Sequence, residues 1–165
     1  MANNYTQWSE KLMFSEFEDT REKQKQWVRD VLTHRDDWEP PEGVEGRDLI
    51  DQLWLDRMKA LGVDTKIIAD EFWPDFDWKI ESDHLWLYSE ESGNLDNVIA
   101  FAQAFLKKFY PKGYFSLQWA EFCSAPRVGE FGGGGFVVTA DKVICESTHT
   151  IVNRALDELG IKEEG

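Results

Sequence analysis

The sequence has little cysteine and no apolar run long enough to cross a membrane, and these shortages exclude several classes of protein. Two cysteines in 165 residues cannot form a disulfide framework, so both thiols are expected to be reduced, as they are in a cytoplasm. A membrane span needs about 20 consecutive apolar residues, and the longest apolar runs are far shorter. The first residues also lack the basic start, apolar middle and cleavage site of a signal peptide. We therefore expect a cytoplasmic protein that does not enter a membrane.

Positive charge is scarce as well. The chain has 18 basic and 32 acidic residues, and its formal net charge is −14 at pH 7. Half of this excess lies in residues 66–100, whose acidic members are Asp70, Glu71, Asp75, Asp77, Glu81, Asp83, Glu90, Glu91 and Asp96. Such a surface repels phosphate backbones, so no direct nucleic-acid binding is expected. It either serves solubility alone or attracts the basic surface of a protein partner.

Residues that could build a metal or catalytic centre do not occur at diagnostic spacings. His34, His84 and His149 are far apart, and the chain has no His-x-x-x-His or Cys-x-x-Cys pair, so no metal and no cofactor are expected. Acidic pairs are too abundant for any one of them to stand out as an acid–base couple. Cys145 is predicted to lie in the core and Cys123 to be the more reactive thiol. No catalytic residue is predicted.

The hydrophobic pattern predicts one α+β domain over residues 1–165. Apolar residues make up 42% of the chain and aromatic residues 14%, which argues against disorder. A helical region is expected at about 15–70 and a ββαββα core at about 76–160, with an antiparallel or mixed sheet and helices packed on one of its faces. The predicted strands are Tyr5–Phe14, Phe76–Ile80, His84–Ser89, Tyr114–Phe122 and Phe136–Cys145. The predicted helices are Phe17–His34, Asp48–Leu61, Leu95–Phe109 and a last one that begins at Ser147 or Thr148 and ends at Gly160.

The strand His84–Ser89 is apolar at both sets of alternate positions. Leu85 and Leu87 would point to one face of a sheet, and Trp86 and Tyr88 to the other. Either the strand is buried on both faces or it exposes an aromatic pair. If the pair is exposed, it is the first choice for contact with a protein partner, because aromatic side chains dominate interface energetics.

Four consecutive glycines, Gly132–Gly135, follow the loop Pro-Arg-Val-Gly-Glu-Phe. A glycine run costs backbone entropy, so either the chain bends there or another group approaches its backbone closely. A phosphate loop is not indicated, since its lysine and hydroxyl residue are absent and a strand follows instead of a helix. We expect a long hairpin loop that returns through a bulged strand start. Arg127 and Glu130 could supply polar contacts from this loop, and Phe131 an apolar anchor.

Three segments are distinctive as a set: NYTQWSE at Asn4–Glu10, LWLYSEESGN at Leu85–Asn94 and CSAPRVGEFGGGGFVVTAD at Cys123–Asp141. In these segments the chain resembles an uncharacterised family of small proteins from bacteriophages, prophages and bacterial genomes. The resemblance covers mainly residues 76–145 and the first ten, and residues 36–70 look like an insertion relative to shorter members. It implies no catalytic residues. It implies a context, namely a phage or mobile-element protein in the cytoplasm of a bacterial host cell.

Several functions stay open on these grounds. The favoured hypothesis is a non-enzymatic acidic protein that docks on another protein and inhibits a host defence or nucleic-acid-processing protein, with carboxylates in place of phosphates. The alternative is an enzyme or binder that acts on a nucleotide-like small molecule through the loop Arg127–Gly135. A homodimer closed through the aromatic strand face is a third option. The candidate partner-binding residues are Asp75, Asp77, Glu90, Glu91, Trp86, Tyr88, Arg127, Glu130 and Phe131.

Overall fold

The computed structural model of the protein describes residues 3–68 and 73–162. The strands are β1 (Asn4–Met13), β2 (Asp77–Ile80), β3 (His84–Ser89), β4 (Tyr114–Cys123), β5 (Gly132–Thr139) and β6 (Val143–Ser147). The helices are α1 (Glu18–Leu32), α2 (Arg47–Ala60), α3 (Thr65–Ile68), α4 (Leu95–Phe109) and α5 (Thr148–Glu158), and a 3₁₀ turn covers Arg35–Asp37. The predicted α+β class is confirmed. No helix among the described residues is long and apolar enough to cross a membrane.

One strand of the sequence prediction is in fact two. The segment predicted as a single strand at Phe136–Cys145 turns back after Thr139, so the order from β2 onward is ββαβββα instead of ββαββα. The turn closes with a hydrogen bond of 2.8 Å from the Thr139 N–H to the Lys142 carbonyl. The Thr139 hydroxyl also accepts the Lys142 N–H at 3.1 Å. These local bonds reverse the chain without glycine or proline, which is why composition did not reveal the turn.

The six strands form one antiparallel sheet in the order β2-β3-β1-β4-β5-β6. The first strand of the chain therefore lies inside the sheet, between β3 and β4. Alternate residues of the inner strands are buried on one face, as expected from the two-residue period of a strand. The buried side chains of this face include Trp8, Leu12, Leu85, Leu87, Phe115, Leu117, Phe136 and Val138.

Helix α4 joins this apolar face to the N-terminal helices. It is apolar around most of its circumference, and eight of its residues are buried, as expected of a helix packed on more than one side. Trp27 of α1 contacts three rings that recur at helical spacing on α4, Phe101, Phe105 and Phe109, with centroid distances of 5.7–5.8 Å. The Trp27 indole N–H donates to the Leu61 carbonyl at 3.1 Å, so the same side chain also fixes the end of α2.

A buried glutamine ties α1 to two distant segments. The Gln24 side chain is fully buried, and its Oε1 accepts the Ser15 N–H at 2.7 Å. Its Nε2 donates to the Tyr110 hydroxyl at 3.0 Å, beyond the end of α4. Both ends of the amide are therefore satisfied, as buried polar groups require.

We expect Gln24→Met to destabilise the protein by about 1–3 kcal/mol, because it keeps the side-chain volume but removes two hydrogen bonds of a buried side chain, one to the half-buried Ser15 and one to the Tyr110 hydroxyl. The measurement is urea unfolding followed by tryptophan fluorescence. Gln26→Met on the same helix is the matched control: Gln26 is exposed, and its change should stay within about 0.5 kcal/mol. Equal losses for the two variants would contradict the role given to Gln24.

Candidate functional site

Four predicted partner-binding carboxylates lie together at one corner of the sheet. β2 is an edge strand that pairs with β3 antiparallel, with Asp77 opposite Tyr88, so the start of β2 meets the end of β3. The two flanking segments line a shallow depression of about 340 Å³. The acidic side chains at this place are exposed, and we call them the acidic corner: Asp75, Asp77, Glu90 and Glu91.

Backbone hydrogen bonds hold the acidic corner. The Asp75 N–H donates to the Asn97 Oδ1 of α4 at 3.1 Å, and the Asn94 N–H donates to the Asp75 carbonyl at 2.8 Å. The Glu91 carbonyl accepts the Thr6 N–H of β1 at 2.7 Å. Because these bonds use main-chain atoms of the acidic residues, the carboxylates themselves stay available to solvent or to a partner.

An aromatic pair adjoins the acidic corner. Trp86 and Tyr88 stack with a centroid distance of 4.0 Å and an interplanar angle of 23°, and both are half-buried, whereas Leu85 and Leu87 are buried on the other face. The Trp86 indole N–H donates to the Ser9 hydroxyl at 2.8 Å. The pair lines a second depression, of about 610 Å³, that also includes Glu90 and Glu91. The strand is therefore buried on its leucine face and leaves the aromatic pair partly exposed on the other face, between the two options that the sequence left open.

The predicted contact residues of the β4–β5 loop are not part of this cluster. The loop lies at the same end of the sheet, but Arg127, Glu130 and Phe131 line neither of the two depressions. Arg127 and Phe131 are exposed, whereas Glu130 is partly buried and one of its carboxylate oxygens has no hydrogen-bond partner among the described residues. Asp70 and Glu71 of the acidic stretch lie outside the described residues.

The glycine run is a regular strand, and the predicted bulge is wrong. The register is unbroken from Glu121↔Gly132 to Tyr114↔Thr139. A Cβ on Gly133 would overlap the carbonyl oxygen of Trp119, and one on Gly134 would overlap the Glu146 carbonyl and lie 2.5 Å from the Trp119 ring. The lack of side chains in the glycine run therefore lets Trp119 and β6 lie close to its backbone. This is the second of the two explanations that the sequence left open for the four glycines.

The same geometry argues against a phosphate cradle at the glycines. Such a cradle needs several free backbone N–H groups that point at the anion. Here Gly132–Gly135 are paired with β4, and the Gly133 N–H donates to the Thr148 hydroxyl at 3.2 Å. Among the described residues there is also no group of three or more His, Cys, Asp or Glu side chains that could hold a metal ion.

His84 and the two cysteines lie outside the acidic corner. The His84 ring lies 2.6 Å from the Asp83 carboxylate, at the opposite end of β3, and this hydrogen bond lowers the pKa of Asp83. The cysteine predictions are reversed by the fold: Cys123 is buried, and Cys145 is exposed. Cys145 lies on β6, an edge strand, so its apolar neighbours do not place it in the core.

Sequence reasoning missed an apolar cleft at the far end of the sheet. β1 and β4 pair only from Asn4↔Cys123 to Gln7↔Ala120. Beyond this point a cleft of about 680 Å³ opens, lined by both strands and by the end of α4, with Lys11 and Lys112 among its lining residues. The cleft depends on where the strand pairing stops, and no sequence pattern marks that point.

We expect Gly134→Ala to destabilise the protein by about 1–3 kcal/mol, because the new methyl group meets a backbone carbonyl and an indole ring that cannot both move away. Gly135→Ala in the same run is the control. The atom nearest to its Cβ would be 3.3 Å away, so its effect should stay below about 1 kcal/mol. Urea unfolding measures both variants, and a larger loss at Gly135 would disprove this reason for the glycine run.

Comparison with known proteins gives no match: no family model fits the sequence, and no curated protein or solved structure is significantly similar to it.

Proposed function

We propose that the protein is a non-enzymatic binding protein that docks on a basic surface of a protein partner through the acidic corner and the Trp86–Tyr88 pair. The observation that supports this most is the juxtaposition of four exposed carboxylates, held by main-chain hydrogen bonds, with a stacked aromatic pair. Exposed carboxylates attract a basic partner over distance and set its orientation. The aromatic pair then adds an apolar contact, which supplies much of the binding energy in protein interfaces.

The nature of the partner follows from the charge and from the sequence resemblance. A basic surface large enough to meet four carboxylates is typical of proteins that bind nucleic acids, where it faces phosphates. The resemblance to small phage and prophage proteins suggests a bacterial cytoplasm as the setting. We therefore propose that the partner is a host defence or nucleic-acid-processing protein, which this protein inhibits by occupying the phosphate-binding surface.

The test of the acidic corner uses two variants of equal net charge. We expect neutralisation of the corner to weaken partner binding about tenfold or more and to flatten its salt dependence, because the local field is lost. The corner variant is Asp75→Asn, Asp77→Asn, Glu90→Gln and Glu91→Gln. The control, at exposed positions between α1 and α2, is Asp37→Asn, Glu39→Gln, Glu42→Gln and Glu45→Gln.

The measurement is capture from a bacterial lysate at rising salt, followed by titration of the identified partner. A phosphate mimic should also be displaced by short duplex DNA, since both would occupy one surface. Equal weakening by the two variants would show an effect of net charge alone. Binding that neither salt nor DNA affects would refute the proposal.

The aromatic pair should act on dissociation more than on association. We expect Trp86→Ala to speed release of the partner about tenfold while leaving the salt dependence unchanged, because it removes apolar contact and no charge. Tyr114→Ala is the control, since Tyr114 is an exposed aromatic residue at the opposite end of the sheet. Surface plasmon resonance gives both rates, and an unchanged dissociation rate for Trp86→Ala would exclude the pair from the interface.

A further inference from the structure

The apolar cleft at the far end of the sheet opens where β1 and β4 stop pairing. Its volume of about 680 Å³ is in the range of cavities that hold small molecules. Its floor consists of buried side chains of the hydrophobic core, namely Leu12, Phe14, Phe105, Leu106 and Phe115. A hydrocarbon group in this cleft would therefore contact the core itself, and cavities lined in this way accept apolar ligands.

Exposed apolar side chains surround the mouth of the cleft. Met13 is 54% exposed and Tyr114 is 71% exposed, and both line the cleft at the ends of the two strands that part. Tyr110, just after α4, lines it as well, and the hydroxyl of this residue is already bonded to Gln24. The apolar character of the floor thus continues outward to the solvent.

Lysines gather around this cleft, although the chain as a whole has a net charge of −14. Lys11 and Lys112 line the cleft and are exposed. Lys25 and Lys108 each place Nζ 5.8–5.9 Å from the centroid of a phenylalanine ring that lines it. Of the described residues that line the cleft, Glu10 is the one carboxylate. An anionic group is therefore attracted to this place on an otherwise acidic protein.

Two nearby carboxylates reduce this positive charge without cancelling it. Glu22 lies 3.8 Å from Lys25, and Asp83 interacts with Lys11. Neither carboxylate lines the cleft. Lys112 forms no ion pair within the described part of the chain, so its charge is available to a ligand.

Glu10 makes the cleft unsuitable for an added peptide strand. The Thr6 and Phe14 N–H groups both bond on the β3 side, and main-chain groups alternate in direction along a strand, so the Lys11 N–H points to the β4 side. There it donates to the Glu10 Oε1 at 3.0 Å in place of a β4 carbonyl. An inserted strand would have to break this bond, whereas a ligand held through a hydrocarbon chain would not.

We propose that the cleft binds a free fatty acid, with the alkyl chain on the buried floor and the carboxylate at the mouth, beside Lys11 and Lys112. The apolar floor selects a hydrocarbon chain, and the lysines select an anionic head over a neutral or cationic one. The ligand is a free molecule and not the surface of a bilayer, because a protein of net charge −14 is repelled by anionic membranes. The site is separate from the acidic corner, since β1 ends beside the start of β3 and the corner lies at the end of β3.

The test is calorimetric titration with sodium octanoate, decanoate and dodecanoate below their micelle concentrations. We expect saturable binding, with a Kd that falls about fourfold for each added methylene group, because each one buries more apolar surface. Decanol has the same chain length as decanoate without its charge, and it should bind about fivefold more weakly. An affinity independent of chain length, equal affinities for decanoate, decanol and decyltrimethylammonium, or binding to anionic vesicles alone would overturn the proposal.

The role of the lysines is tested with a double variant. Lys11→Gln with Lys112→Gln should weaken decanoate binding about fivefold and leave decanol binding unchanged, because only the charge at the mouth is removed. Lys66→Gln with Lys79→Gln is the matched control: both residues are exposed and neither lines the cleft. Equal weakening by the two double variants would show an effect of net charge alone and refute the role of the lysines.

A second measurement needs no variant and so does not depend on folding of a mutant. In methyl NMR spectra, decanoate should shift the signals of Leu12 and Leu106 at the floor of the cleft and leave Leu49 of α2, an exposed residue outside the cleft, unchanged. Saturable binding without shifts at Leu12 and Leu106 would exclude the cleft. The corner-neutral variant should bind decanoate as the wild type does, so failure of either proposal leaves the other standing.

Discussion

The packing of Trp27 against three phenylalanine rings of α4 connects the two parts of this protein. The sheet buries only one face, and α4 lies between that face and α1. Aromatic side chains of this size contribute large buried areas with defined geometry. Because the Trp27 indole also bonds to the end of α2, one side chain orders the N-terminal helices on the α4 layer. Without this layer the apolar face of the sheet would be open to water.

The same helix also determines where the acidic corner lies. The first turn of α4 and the loop before β2 share hydrogen bonds through Asn94, Asn97 and Asp75. The buried Asn97 amide is satisfied by a main-chain group, so the loop is held without any use of the carboxylates. Their mutual repulsion is moderate, because exposed charges are screened by water and salt. Hydrophobic packing at one end of α4 and polar bonds at the other thus support a surface of high negative charge.

Two different surfaces lie at opposite edges of the sheet. The acidic corner lies at the β2 edge, and exposed apolar side chains of β6 and α5, such as Ile144 and Val152, lie at the opposite edge. We expect different contacts at these two surfaces, since carboxylates attract basic groups and apolar side chains favour apolar contact. The order of strands in the sheet produces this separation, because it places the first strand inside and sends the C-terminal strand to the far edge.

The amino-acid sequence by itself determined the elements whose signals are local. α4 covers the predicted residues because its apolar spacing and the Asn94 cap are neighbours in sequence. The split into β5 and β6 was not predictable, since its turn uses side-chain hydrogen bonds around Thr139 in place of glycine or proline. The glycine run was visible in the sequence, but the structural need for glycine there was not. The groups that lie against the run come from neighbouring strands, namely Trp119 of β4 and Glu146 of β6. Only the tertiary structure decided which carboxylates gather and which apolar residues stay uncovered, since both depend on pairing between strands that are distant in the chain.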